Sequence, residues 1–350
     1  MYLKEEITDS IIEVFEELIL LDNFTVSTDN GPYQDKELPL RFNCHLLIIG
    51  SFLLKRGLIE RERIADLEKF IANMIGDNPE FNYKFRESFI TKRDTVNGTM
   101  GPAWVAESLL YAGDALGRRD FTNEAQRLLK CHVFDETNRC WHRLTPCGML
   151  LPIDYTFNHQ LWFAEQCLKT EDANLIDNAF SFLEYHIPKL MLLGNGIIHH
   201  YTPVIKLLKK PTIGHLTDLY YSFGQFLLSG GYQKDKSVAY HGFNLKAIAG
   251  CFNLAPHLEC WSSNKFKKLT KFQYTDAVNS KLSASVYGYQ YNPSVYEFLF
   301  WFKTCNPCRF NEVKSFIEKE RIIHNNLQPR ETTIQKLRIY EAITYLESDD

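Results

Sequence analysis

The stretch Trp104-Val-Ala-Glu-Ser-Leu-Leu-Tyr-Ala-Gly-Asp-Ala-Leu116 decides the fold. Its spacing is helical, yet it has almost no polar face, and a helix of that kind is buried on all sides. Just beyond it, Asn123-Glu-Ala-Gln-Arg-Leu-Leu-Lys130 is plainly two-faced, with Ala125, Leu128 and Leu129 recurring at three and four. One helix buried all round and one half-buried make a hairpin. The apolar kind returns at Leu46–Leu54, Leu161–Leu168, Leu245–Phe252 and Val295–Phe302, and Glu60–Asn73 repeats the two-faced kind.

Apolar helices begin near residues 43, 101, 158, 241 and 293, and the one long gap has room for another over 213–229. A period of fifty-odd residues holding two helices means stacked helical hairpins. Six such hairpins can close into a ring, so the expected fold is all-α, an (α/α)6 toroid, with residues 1–350 as a single domain. Helices are expected near 11–19, 41–56, 63–75, 101–117, 121–131, 157–169, 172–187, 213–229, 238–252, 293–304, 310–320 and 332–347. Short β-hairpin insertions are expected at Cys140–Leu144, Met149–Ile153 and Gly196–Tyr201, each beside Gly, Pro or Asn turn signals.

Composition agrees with a large globular chain. Of 350 residues 45% are apolar and 23% charged, which rules out wholesale disorder. The net charge of −4 argues against a bulk nucleic-acid binder. No N-terminal targeting pattern is present, and the longest strongly apolar stretch, His45 to Leu54, is far short of the ~20 residues of a membrane span. Nine cysteines without regular spacing suit a reducing compartment, so a cytoplasmic location is expected, and Cys305-Asn-Pro-Cys308 reads as incidental thiols. No phosphate loop, GxGxxG or HExxH occurs. His199-His200 with His215 lacks regular ligand spacing, so neither a metal nor a cofactor is expected. The sequence leaves the oligomeric state open.

The polar residues collect where the apolar helices start. These starts read Arg41-Phe-Asn-Cys-His45, Asn97-Gly-Thr-Met-Gly-Pro-Ala-Trp104, Asp154-Tyr-Thr-Phe-Asn-His-Gln160, Tyr240-His-Gly-Phe-Asn244 and Tyr287-Gly-Tyr-Gln-Tyr-Asn-Pro293. In a ring of hairpins the inner helices run the same way and their N-termini meet at one mouth. Free N–H groups and the helix dipole make such a mouth favourable to anions. Asn158 and His159 lead a wholly apolar helix, and Tyr240, His241 and Asn244 share one helical face. Tyr287, Tyr289 and Tyr291 would put three phenols on one side of an extended strand. Each residue also has a plain structural reading: Asn43, Asn158 and Asn292 as helix caps, Glu107 as one half of an ion pair, the tyrosines as a packed edge.

The plan resembles the (α/α) toroids of carbohydrate-active enzymes, above all polysaccharide lyases and unsaturated-glucuronyl hydrolases. Gly101-Pro-Ala-Trp-Val-Ala-Glu-Ser-Leu-Leu, Ala125-Gln-Arg-Leu-Leu and Asp135-Glu-Thr-Asn-Arg-Cys-Trp-His-Arg are similar to a hairpin of those families, and Asn158-His159 resembles the Asn–His pair of toroid lyases. The resemblance implies an acidic, uronate-containing glycan as substrate and β-elimination as the reaction. Asn158 would neutralise the carboxylate, His159 would take the α-proton with His241 as an alternative base, and Tyr240 or Tyr289 would transfer a proton to the leaving oxygen. Trp104, Trp162, Asn244 and Tyr291 would contact the sugar. The alternatives are a glycoside hydrolase using Asp154 and Glu107 as its carboxyl pair, for which facing carboxyls are needed, or a toroid that binds glycan, or serves as a scaffold, without chemistry.

Overall fold

The computed structural model describes residues 2–21, 24–29, 36–77, 83–86, 94–193, 196–200, 230–292, 294–311 and 332–348. The chain forms two compact units. One comprises residues 1–131, 144–149 and 328–350; the other comprises 132–143 and 150–327.

In the first unit α1 (Tyr2–Leu18) turns Ile7, Ile11, Phe15 and Leu18 inward at helical spacing. A short antiparallel pair, β1 (Thr28–Asp29) and β2 (Lys36–Glu37), leads into α2 (Leu40–Lys55), which is buried from Leu40 to Leu53. α3 (Ala65–Asp77), α4 (Met100–Leu116) and α5 (Arg119–Cys131) follow. α4 packs on both α2 and α5. It ends at Gly117, whose φ of 66° is left-handed, a conformation glycine takes without strain, and the chain turns there directly into α5. The C-terminal helices Thr332–Leu337 and Ile343–Glu347, joined by a 3-10 turn over Arg338–Ala342, complete this unit. The sequence pattern had run them together as one helix.

Charges are buried here as pairs. Arg41 and Glu37 lie 3.3 Å apart and Arg338 and Glu341 2.7 Å apart, all four almost wholly enclosed. Burying such ions is costly unless each is matched. The Arg41 guanidinium is also 4.2 Å from the Trp104 ring centroid, so it gains from the ring face as well.

The second unit opens with a sheet of order β3–β4–β5, formed by β3 (Phe134–Asp135), β4 (Cys140–Leu144) and β5 (Leu150–Ile153). β3 and β4 are antiparallel, with Phe134 opposite Trp141. Then come α6 (Phe157–Leu168), α7 (Ala173–His186), α8 (Gly230–Ala239), α9 (His241–Leu254), α10 (Asn264–Leu269), α11 (Asp276–Ala284) and α12 (Ser294–Cys305). Asp172, Ser263 and Thr275 cap α7, α10 and α11 by accepting backbone N–H bonds. α9 lies against α6 on one side and α12 on the other. Trp141, Trp162 and Trp301 are completely enclosed.

Several expectations are corrected. The start expected near residue 241 is that of α9, whereas the span 238–252 also took in the last two residues of α8, before the break at Tyr240. The expected strand near Gly196 reduces to a single bridge between Leu192 and Ile198, and Tyr201 lies outside the described residues. The expected helix over 213–229 lies outside them too, as does that over 310–320 beyond Asn311. α6, α9 and α12 are not purely apolar inside. Glu165, Gln166, Lys246 and Glu297 are all at most 1% exposed. Glycine makes the room: a Cβ at Gly250 would stand 2.5 Å from the Glu165 carboxylate, and one at Gly242 would stand 2.5 Å from that of Glu297.

Residues 287–291 are turns and not a strand. The Tyr289 phenol is therefore not aligned with those of Tyr287 and Tyr291. The cause is the close approach of Gly288 to the end of α11, where a Cβ would lie 1.9 Å from the Leu282 carbonyl oxygen. Backbone cannot yield as a side-chain tip does. Gly288→Ala is therefore expected to destabilise the protein by about 2 kcal/mol or more, read as a lowered denaturation midpoint.

Candidate functional site

Asp154 ends the turn that carries β5 into α6, and four hydrogen bonds fix it. Its N–H donates to the Trp141 carbonyl (3.3 Å). Its own carbonyl accepts from Gln160 Nε2 (2.8 Å). Oδ1 accepts the Thr156 N–H (3.1 Å), and Oδ2 meets His159 Nδ1 at 2.8 Å. Asp154 is 5% exposed, whereas the His159 side chain retains 21%. Asp154 is a carboxylate acceptor, so Nδ1 of His159 donates the hydrogen bond between them.

A second histidine stands beside this pair. The His200 carbonyl accepts from Phe157 N–H at the start of α6 (2.9 Å), and its own N–H donates to Ser237 Oγ of α8 (3.1 Å). Its ring is 5.0 Å from that of Tyr240. Tyr240 in turn has Tyr287 at 6.5 Å and Tyr291 at 6.4 Å, and Lys236 Nζ lies 5.3 Å from the Tyr287 ring centroid. Burial holds the His200 imidazole well below its ordinary value. Lys236, His159 and His199 push the same way, against Asp154. Asp154, His159, His199 and Lys236 thus act electrostatically on His200, with the Tyr240 ring packed beside it, in a group built from the start of α6, the segment before residue 201 and the α8–α9 junction.

The structure sorts the expected site residues. Asp154, His159, Tyr240 and Tyr291 belong to or border this group. Asn158 is 2% exposed and its Oδ1 has no hydrogen-bond partner. It is the second residue of α6 and does not cap it; Thr156 occupies the cap position. Asn244 is enclosed and donates from Nδ2 to the Tyr240 carbonyl (3.0 Å), so it braces the α8–α9 junction. Tyr289 is fully enclosed. Its hydroxyl donates to Asn279 Oδ1 (2.7 Å) and lies 2.6 Å from that of Tyr274, so its phenol is committed to α11 and away from Tyr240. Trp162 is also enclosed: it stacks on Phe243 at 4.3 Å, donates from Nε1 to the Phe243 carbonyl and carries the Lys246 ammonium on its face. It packs the α6–α9 contact and offers no ring to a sugar.

Trp104 and Glu107 lie in the first unit, on α4. Trp104 is 5% exposed, with Arg41 over its face and His45 at its edge. The Glu107 carboxylate accepts the Tyr340 hydroxyl at 3.3 Å, which accounts for an acid in this helix. Asn43 lies inside α2 and donates to the carbonyls of Phe24 and Pro39 instead of capping the helix, and Asn292 donates to the Tyr287 carbonyl.

Sequence reasoning missed His200, Lys236 and Ser237. His199-His200 is visible in the sequence, but there it reads only as a metal pair with His215 and is set aside for want of ligand spacing; His215 lies outside the described residues. Among the described residues no group of three or more His, Cys, Asp or Glu is disposed to hold a metal ion. Nor is any helix among them long and apolar enough to cross a membrane.

His241 is not placed as a base. It is 1% exposed, packs against Phe272 and Phe298, and its Nδ1 accepts the Ile198 N–H at 3.3 Å. Burial lowers its pKa to about 3. His186 is lowered to about 4 for the same reason, with its Nε2 shared between the Asn138 and Arg139 carbonyls.

These features can now be set against known proteins. No family model matches the chain. The fold is that of an (α/α)6 toroid: the chain is similar over 98% of its length to 99% of an α-1,6-mannanase, GH76A of Salegentibacter sp. HEL1_6, at a TM-score of 0.56 and 9% identity, in an inactive variant bound to α-1,6-mannotriose. In sequence it is similar to archaeal glycosylation protein Q of Haloferax volcanii, 24% identical over 337 residues and covering 89% of each chain.

The buried histidines contribute to the acid limb of stability. An unfolded His241 titrates near 6.5 and the folded one near 3, so below pH 6.5 the unfolded chain binds the extra proton. Stability is therefore complete above pH 6.5 and declines as the pH falls toward 3, by up to about 1.4 kcal/mol per pH unit for this one group. His241→Asn keeps an acceptor for the Ile198 amide and should flatten the decline by up to one proton between pH 6 and 4, measured as the pH dependence of the urea midpoint.

Proposed function

We propose that this protein is a carbohydrate-active enzyme that cleaves a glycosidic bond in an oligosaccharide by hydrolysis. The observation that carries the reading is the Asp154–His159 pair, a partly open imidazole held by an enclosed carboxylate at the start of an inner helix. The likeness in fold to a mannanase bound to mannotriose and the likeness in sequence to a glycosylation protein support a sugar as the ligand. His159 Nε2 takes a proton from water as the water oxygen bonds to the anomeric carbon; the bond from that carbon to the leaving oxygen breaks, the leaving oxygen takes a proton from solvent, and Asp154 steadies the imidazolium that forms. Tyr240 and Tyr291 offer phenol faces and hydroxyls to the sugar.

Of the carboxyl pair Asp154 and Glu107, the alternative read from the sequence, this reading uses Asp154; the Glu107 carboxylate accepts the Tyr340 hydroxyl. The mannanase variant is inactive with two adjacent aspartates replaced by asparagine. This chain has adjacent aspartates only at Asp349-Asp350, so its hydrolysis would run on a different set of groups.

A second reading has one observation in its favour: the pair is carboxylate and imidazole, not two carboxyls. A held imidazole is equally suited to removing the α-proton of a uronate, with Asn158 near the carboxylate and Tyr240 as the proton donor.

The test is a panel of oligosaccharides, α-1,6-mannooligosaccharides and uronate-containing chains among them. Hydrolysis is expected to release reducing ends without ultraviolet absorbance from a new double bond. His159→Ala and Asp154→Asn should each lower kcat by about 10²–10⁴ with the circular dichroism spectrum intact. Double-bond absorbance lost in the same variants would establish elimination instead. Saturable binding with no turnover would leave a glycan-binding protein.

A further inference from the structure

We infer that Gln160 is a positioning residue of the His159 site, acting through the backbone of Asp154; the inference rests on the reading of His159 as the base. Gln160 is completely enclosed, one turn into α6 and next to His159 in sequence. Its amide makes three bonds, all to backbone. Oε1 accepts the Trp141 N–H at 2.8 Å. Nε2 donates to the Trp141 carbonyl and to the Asp154 carbonyl, each at 2.8 Å. The two N–H groups of an amide are thereby both spent, and no flip of the side chain preserves the set.

Those bonds join three elements. Trp141 is the second residue of β4, Asp154 follows β5, and Gln160 rides on α6. The Trp141 carbonyl also accepts the Asp154 N–H. Both backbone groups of Asp154 are consequently fixed, one directly to β4 and the other through Gln160 to β4 and α6. The carboxylate has no freedom to slide along the helix start, and its Oδ2 must meet His159 Nδ1. Nothing in this set touches the open side of the imidazole. Gln160 therefore sets which nitrogen of His159 carries the proton and where the other points, a geometry that reaction rates follow closely. A polar side chain so completely buried, beside the reactive residue and bonded only to backbone, is otherwise an expensive way to fill space, because methionine would pack the same volume.

The experiment compares wild type, Q160M, D154N and the double variant in turnover, with the imidazole tautomer read from 15N-histidine spectra. Q160M is expected to lower kcat 10- to 100-fold with KM within twofold. It should also reduce the His159 Nδ1–H population and add no further loss in the D154N background. Wild-type kcat with an unchanged tautomer would overturn the inference, as would a loss that multiplies with that of D154N. Should Q160M fail to fold, Q160E decides by the same readouts, since it keeps an acceptor for the Trp141 amide while withdrawing the donor to Asp154. If His159→Ala remains fully active, the proposed function fails, and the tautomer of Q160M still tells whether Gln160 orients this ring.

Discussion

Helices that lack a polar face must be surrounded, and the rest of this structure is arranged around that requirement. α4 is covered by α2 and α5, and α9 by α6 and α12. Covering such a helix removes every route by which a polar side chain on it could reach water, except at its ends. The reactive side chains of the proposed reading, Asp154, His159 and Tyr240, stand accordingly in a first turn or in the loop just before it. The requirement that builds the core also chooses where chemistry can occur.

The same burial separates residues that look alike in sequence. His159 and His241 each open an inner helix and each has an asparagine nearby. His159 keeps a fifth of its surface and has a carboxylate on one nitrogen; His241 is sealed between Phe272 and Phe298 and is held neutral down to about pH 3. Tyr240 and Tyr289 part in the same manner. One faces His200, and the other is bonded into α11. In both comparisons the difference lies in neighbours: Asp154 for His159 and Asn279 for Tyr289 lie close by in the chain, while Phe272 and Phe298 for His241 and His200 for Tyr240 come from farther along it.

Polar groups inside the inner helices follow a separate logic. Glu165 fills the space left by Gly250, Glu297 that left by Gly242, and Lys246 rests on Trp162. The small residues let the helices approach and the long ones occupy the gap, with Glu165 also paired to Lys169 at 2.9 Å. A single charged residue in an apolar run is weak evidence of function for this reason, and Glu107, answered by Tyr340, belongs with them.

The sequence by itself determined the helices and their two kinds, because helical period and the presence or absence of a polar face are local properties. It determined as well that polar residues gather at the helix starts, among them Asp154, Asn158 and His159. It placed the start of α9 near residue 241 but did not reveal the turn at Gly288, which depends on the Leu282 carbonyl approaching from α11. Only the tertiary structure decided which of the gathered residues remain open to a ligand and which partner each receives. Burial, and with it protonation and reactivity, is a sum over neighbours that are remote in the chain: His200, Lys236 and Ser237 join Asp154 and His159 from other elements, and Trp141 and Gln160 hold the aspartate from opposite sides.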